Sequence, residues 1–151
     1  MSTAAAPDQT AEMTDAPRQL PYAGETVPVL GATDALAFCE MTIPAGFGGP
    51  PPHIHHGFDE AIYVLDGELT YLTGRSDPVP APPGTLILAE RGIRHTFANP
   101  GDTPAKVLGI WSPASALDFM AEIGAALPAS GPPDPDVVAE IYRRHNGVIV
   151  P

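Results

Sequence analysis

Residues 53–69 read HIHHGFDEAIYVLDGEL, and the way this stretch changes character along its length decides the fold. Its second half, Ala61–Leu65, is a short run of branched and aromatic side chains closed by Asp66-Gly67, a dipeptide that marks a tight turn. Glu68–Thr73 (ELTYLT) follows as the expected hairpin partner. Working outward, Leu36–Ile43 (LAFCEMTI) sets Phe38, Glu40 and Thr42 on one face of a strand and Cys39, Met41 and Ile43 on the other. A Gly/Pro block, Pro44–Pro52, separates this strand from the histidine-bearing segment. Pro82-Pro83-Gly84 turns the chain into Thr85–Glu90, and Arg94–Asn99 and Lys106–Ser112 complete the set, with Pro100-Gly101 between them. Roughly eight short strands at this spacing predict an all-β fold, a sandwich or a small barrel of two sheets. Twenty prolines and fifteen glycines, spread as turn punctuation, suit that architecture better than a helical bundle.

The two ends read differently. Residues 1–19 are small, polar and acidic without apolar periodicity, which predicts a flexible N-terminal tail. The β domain is expected over residues 20–113, and residues 114–151 form a helical extension packed on it. In that extension Ser115-Ala116-Leu117-Asp118 has the pattern of a capping box, followed by Leu117, Met120, Ala121 and Gly124 at helical spacing. A proline-rich link, Pro128–Pro133, leads to a second short helix with Asp134 as N-cap and Pro135 at the first helical position. Arg143 and Arg144 lie near its C-terminal end and Asn146-Gly147 stops it. With 151 residues there is room for one domain with a real core.

The formal charge is −11, with one lysine (Lys106) among the seven basic residues. So acidic a chain repels phosphate backbones and anionic lipid, which disfavours nucleic-acid and membrane-surface roles. Cys39 is the single cysteine, so neither an internal disulfide nor a thiolate zinc site is available. No basic-then-apolar leader and no run of about 18 apolar residues is present, and a cytoplasmic location is expected by elimination.

Chemistry concentrates in the histidines. Of five, four sit in two short segments, His53-Ile54-His55-His56 and Gly92-Ile93-Arg94-His95. Residues two apart on a strand share a face, so His53 and His55 can offer two imidazoles to one point. Neutral imidazole is the commonest protein ligand for transition metals, and a carboxylate such as Glu60 adds a charge-neutralising oxygen. His95 is expected to bring a third imidazole from the opposite sheet. Strand parity alone does not choose the set, because Glu60 lies five residues after His55 and an unbroken strand pairs it with His56. A turn or bulge at Gly57 restores the other arrangement.

Two stretches resemble the paired motifs of the cupin superfamily. The first is His53-x-His55, four residues, Glu60, six residues, Gly67. The second is Gly84, five residues, Glu90-x-Gly92, two residues, His95, three residues, Asn99. Glu90 stands where the family has a proline, and the glycine expected before His53 is displaced by one position, to Gly46 or Gly48. The likeness spans roughly residues 20 to 150. It implies a double-sheet β-barrel of the cupin or jelly-roll type, and it implies His53, His55, Glu60 and His95 as metal ligands. One divalent transition metal is implied: iron, nickel, manganese or cobalt, with zinc also compatible. The likeness is strongest to single-barrel, quercetinase-type dioxygenases, which implies a small enolisable or hydroxylated aromatic substrate and Glu60 as catalytic base. A metal-dependent cyclase, isomerase or lyase, or a non-catalytic small-ligand binder, is the alternative. A homodimer is also implied by the resemblance.

The remaining candidates have plainer readings. Phe97 shares the face of His95, and Leu86 and Leu88 alternate similarly, so all three are expected in the core or in a dry pocket wall. Met41 and Trp111 are further pocket candidates. Cys39 reads as a small buried residue, His145 as solvated, and Arg94 and Tyr63 as facing away from the site.

Overall fold

Alternating burial organises the chain. In Ala37–Ile43, residues 37, 39, 41 and 43 are buried and the residues between them half-buried, the signature of a strand with one face on a core. The computed structural model describes residues 18–74 and 77–151. The expected tail lies almost wholly outside these. In chain order the strands are β1 (Gln19–Tyr22), β2 (Glu25–Ala32), β3 (Ala37–Ile43), β4 (His53–His55), β5 (Asp59–Asp66), β6 (Leu69–Thr73), β7 (Val79–Ala81), β8 (Leu86–Ala89), β9 (His95–Ala98) and β10 (Ala105–Ser112). Helices α1 (Ala116–Ala126) and α2 (Pro135–Arg144) follow, and β11 (Gly147–Ile149) ends the fold.

These eleven strands form two sheets, ordered β1-β2-β3-β10-β5-β8 and β11-β4-β9-β6-β7. This is the expected mostly-β, two-sheet architecture with two short C-terminal helices. No ladder joins the sheet edges among the described residues, so the cylinder is not closed by hydrogen bonds. The chain crosses between sheets repeatedly, which corrects one expectation. β6 does not pair with β5, because both edges of β5 are taken by β10 and β8. The Asp66-Gly67 turn instead carries the chain to the other sheet, where β6 lies between β7 and β9. Gly67 has φ +76, and a Cβ there would sit 2.8 Å from the Ala105 Cα and 2.9 Å from the Pro104 carbonyl oxygen. The turn therefore needs glycine both for its backbone angle and for its clearance.

The C-terminal segment is part of this layering. β11 pairs with β4 at its open edge. Beyond it the Val150 N–H donates to the Pro52 carbonyl and the Arg94 Nε–H to the Pro151 carbonyl (2.8 Å). Arg94 is thus a clasp on the chain's last residue. Helix α2 is capped as expected, with the Asp134 carboxylate accepting from the N–H groups of Asp136 and Val137. Ser115 does not cap α1 through its side chain. Its backbone is already helical (φ −58, ψ −17), and its carbonyl accepts from the Asp118 N–H in a tight turn. His145 is not solvated: its Nε2 lies 3.1 Å from Glu122 Oε1, and Arg144 Nη2 lies 2.6 Å from Glu122 Oε2, so both tie α2 to α1. Among the described residues no helix is long and apolar enough to cross a membrane.

Leu86 and Leu88 are 54% and 52% exposed, contrary to the expectation that they face inward. Their strand keeps the other parity, burying Ile87 and Ala89. Inside, α1 presses on β1 so closely that a Cβ at Gly124 would run into the Pro21 carbonyl oxygen. Replacing a helix-interior glycine by alanine ordinarily stabilises by about 1 kcal/mol. Here Gly124→Ala is expected to do the reverse, because overpacking costs about 1–3 kcal/mol. A lowered denaturation midpoint at unchanged m-value is the expected result.

Candidate metal centre

Three imidazoles converge in the interior because two neighbouring strands of one sheet carry them. β4 is only three residues long and presents His53 and His55 inward, with half-buried Ile54 between them. β9 pairs with it so that His53 lies directly across from His95. His95 therefore comes from the same sheet as the first two, not from the opposite one. Glu60 is the residue that comes from the facing sheet, on β5. The strand breaks at residues 56–58, so the turn around Gly57 resets the parity. His56 is left exposed, with its backbone N–H bonded to the Asn146 carbonyl, and it is out of the cluster.

All four residues are buried, the histidines at 2–3% exposure and Glu60 at 7%. One ring nitrogen from each of His53, His55 and His95 lies within 4.8 Å of the others. The His53 Nδ1–H donates to the Pro51 carbonyl (2.7 Å) and the His95 Nδ1–H to the Ile93 carbonyl (2.9 Å). A carbonyl can only accept, so these bonds fix the tautomer and leave the Nε2 lone pair of each ring free. The His95 Nε2 and the His55 Nδ1 have no partner among the described residues although both are fully buried. An unsatisfied buried polar nitrogen costs about 1–3 kcal/mol. Three buried imidazoles so placed fit a divalent transition ion.

Glu60 is held by its neighbour across the ladder. Trp111 on β10 lies opposite it, and the indole N–H donates to Oε2 over 2.7 Å. The other oxygen, Oε1, is 3.8 Å from the His95 Nε2, too far for a hydrogen bond. One carboxylate oxygen is thus anchored and the other remains available toward the histidines. On the residue before it, Arg91 grips the Asp59 carboxylate through its backbone N–H and guanidinium and also reaches the Ser112 carbonyl. These bonds hold the Asp59 carboxyl below its ordinary range.

The walls are where sequence reasoning fell short. The helical extension, expected only to pack on the β domain, supplies much of the enclosure. His55 is stacked against Phe58 (ring centroids 4.1 Å apart) and lies parallel to Tyr142 of α2 at 5.7 Å, with Phe119 of α1 edge-on at 5.0 Å. Met120, Ile123 and Leu127 close the helical side, while Met41, Phe97 and Trp111 line it from the sheets as expected. The cavity beside the histidines is only about 20 Å³, the space of one water or ion. Helical spacing picked out Met120 on α1, but nothing in the sequence marked Phe119 or Tyr142 as wall residues. The spacing carried no signal of what Met120 would face.

Comparison with known proteins agrees with this geometry. Residues 39–111 match the family model for the cupin domain. Germin-like protein subfamily 2 member 1 of Arabidopsis thaliana is 31% identical over 104 residues, covering 66% of this chain and 47% of that protein. Nectarin-1 of Nicotiana langsdorffii x Nicotiana sanderae is 31% identical over 98 residues, covering 62% and 42%. The chain thus spans less than half the length of these two curated relatives. Among solved structures, a predicted oxalate decarboxylase from Thermotoga maritima superposes with TM-score 0.52 at 24% identity, covering 64% of this chain and 91% of that one. KdgF from Halomonas sp. superposes with TM-score 0.53 at 19% identity, covering 58% and 79%. At these identities the superpositions speak for the fold alone. The segment that carries the four site residues thus matches the cupin domain, and the superposed structures share its two-sheet fold.

Burial also sets a pH dependence. Removal from water, reinforced by the neighbouring imidazoles, pushes His53 down to about 3 and His55 down to about 2 from the ordinary 6.5. In the unfolded chain both rings take up a proton below about 6.5, whereas in the folded chain they stay neutral until far lower pH. The unfolded state then binds more protons, so the metal-free protein should lose stability as pH falls below about 6.5. The slope is at most about 1.4 kcal/mol per pH unit for each ring. Denaturant midpoints of metal-free protein between about pH 7 and pH 5 should fall accordingly. A flat profile would contradict buried neutral rings.

Proposed function

We propose that this chain is a metal-dependent enzyme of the quercetinase-like dioxygenase kind, acting on a small enolisable or hydroxylated aromatic molecule. In this reading His53, His55, His95 and Glu60 hold one divalent transition ion. The observation that carries it is the pairing of three buried imidazoles, each with a lone pair to give, with a carboxylate that has one anchored and one free oxygen. When bound, iron, nickel, manganese or cobalt supplies Lewis-acid charge for an ionising substrate oxygen and a route to dioxygen chemistry, while zinc supplies the former alone.

The chain's own residues do the rest. Glu60 Oε1 is the acceptor for the substrate's enol or hydroxyl proton, because Oε2 is occupied by the Trp111 N–H. Trp111 orients that carboxylate, and the carbonyls of Pro51 and Ile93 hold His53 and His95 in the tautomers that ligation needs. Phe58, Phe119 and Tyr142 keep bulk water from the histidines, which strengthens every electrostatic contact inside. The acidic surface and the buried, lone Cys39 suit a cytoplasmic enzyme that works on a small molecule without nucleic acid or membrane. We further propose that two copies pair through the outer face of β5 and β8. Tyr63, Leu65, Leu86 and Leu88 form an exposed apolar patch there, at the edge of the six-stranded sheet.

With quercetin as probe, oxygen uptake should match flavonol loss, and Glu60→Gln should retain the metal but lower kcat by about 100-fold or more. An unchanged rate without oxygen would move the assignment to cyclase or isomerase chemistry. Full activity in Glu60→Gln would remove the glutamate as base. For assembly, the solution mass should correspond to two chains, and Leu86→Lys with Leu88→Lys should reduce it to one. A wild-type mass of one chain would contradict the dimer.

A further inference from the structure

Beside the histidine cavity lies a second, much larger space. A groove of about 900 Å³ runs between the Pro128–Pro133 link and the five-stranded sheet, bordered by the loop Gly46–Pro52 and by Val138 and Ala139 of α2. Its size lies within the range of ordinary small-molecule sites, about 300–1,000 Å³. The histidine cavity, at about 20 Å³, holds an ion or a water and has no room for an organic molecule. Whatever organic molecule reacts there must keep most of its body elsewhere. The two spaces share Pro50, Phe97 and Leu127, which form the partition between them.

The chemistry of the groove is selective. Eight of its lining residues are prolines, which offer no backbone N–H. No charged side chain lines it among the described residues. The polar side chains on its walls among the described residues are those of Thr70, Tyr71, Thr96 and Ser130, and the Thr96 hydroxyl already donates to the Pro50 carbonyl (2.6 Å). In the neighbouring cavity the sole carboxylate among the described residues is that of Glu60, and none of them there is a lysine or arginine. Among the described residues nothing on this path offers an anion a counter-charge for its lost hydration, in a chain whose formal charge is −11. A dicarboxylate or a phosphorylated sugar is therefore a poor occupant.

We propose that this groove binds the apolar body of an uncharged, ring-containing substrate, whose oxygen reaches Glu60 and the histidines past Leu127. The inference rests on the enzymatic reading above and narrows its substrate class. Leu127 is the movable part of the partition. It is the residue after the last turn of α1, its side chain is buried, and its backbone has already left helical geometry (ψ 119). Turning one leucine side chain at the end of a helix disturbs less packing than displacing Phe97, which is fixed within β9.

The test uses the metal-free protein of residues 1–151 with 1-naphthol and 1-naphthoate as probes in equilibrium dialysis. Binding without metal makes the outcome independent of the metal assignment, so failure of one does not imitate failure of the other. 1-Naphthol should bind at least about tenfold more tightly than 1-naphthoate, a difference of about 1.4 kcal/mol. Ala139→Phe, at an exposed position of α2, should fill the groove and weaken 1-naphthol by about tenfold or more, with an unchanged unfolding midpoint. Ala139→Arg should shift the preference toward 1-naphthoate, which a merely misfolded variant would not do. Equal affinity for the two probes, or 1-naphthol binding indifferent to Ala139→Phe, would overturn the proposal.

Discussion

An imidazole nitrogen shut away from water with nothing to bond is a cost that a fold has to carry, and this one carries it at His55 Nδ1 and His95 Nε2. The arrangement follows from strand pairing: His53 and His95 are register partners on β4 and β9, so their rings cannot separate without breaking that ladder. His53 and His95 lie 4.2 Å apart by ring centroid, and charge on the neighbouring imidazoles opposes protonation of His53 and His55. The result is a cluster of three buried imidazoles, two of them with an unpartnered ring nitrogen, that a cation would satisfy. The anchored carboxylate of Glu60 stands beside them from the facing sheet, with Oε1 3.8 Å from the His95 Nε2.

That cluster has a cost in stability, and the rest of the architecture offsets it. The C-terminal helices are central here. α1 is seated on β1 by the clearance at Gly124, α2 is clamped to α1 through Glu122, and β11 returns to β4, the strand that carries His53 and His55. Phe119, Tyr142 and Phe58 then bury their rings around His55. Enclosure and stability are thus provided by the same apolar side chains. The histidine cavity is therefore small, and the adjoining proline-walled groove is where space for a larger molecule remains.

Much of this was legible in the sequence, for identifiable reasons. Period two exposes strands directly, so the faces of β3 and the inward pair His53/His55 could be read without a structure. The spacing around His95 and Asn99 carried the family likeness and with it the cupin fold. What failed was pairing. The Asp66-Gly67 turn was legible, but nothing local says that β5 already has two partners and that β6 must cross to the other sheet. The same blindness placed His95 on the wrong sheet. It also gave Leu86 and Leu88 the wrong face, since parity within β8 depends on where the Gly84 turn releases the strand. His145 misled because its partner, Glu122, lies on another helix. The two C-terminal helices were legible from their caps and, on α1, from apolar spacing, while the wall they form around His55 is a tertiary fact.

The account rests on a metal held by the buried histidines. Its most direct test is metal content by elemental analysis of protein purified without a histidine tag, followed by loading of the metal-free form. The expected result is one divalent transition ion per chain, lost in His53→Ala and His95→Ala while His56→Ala keeps it. A wild-type protein that neither carries nor accepts such an ion would contradict the account at its root.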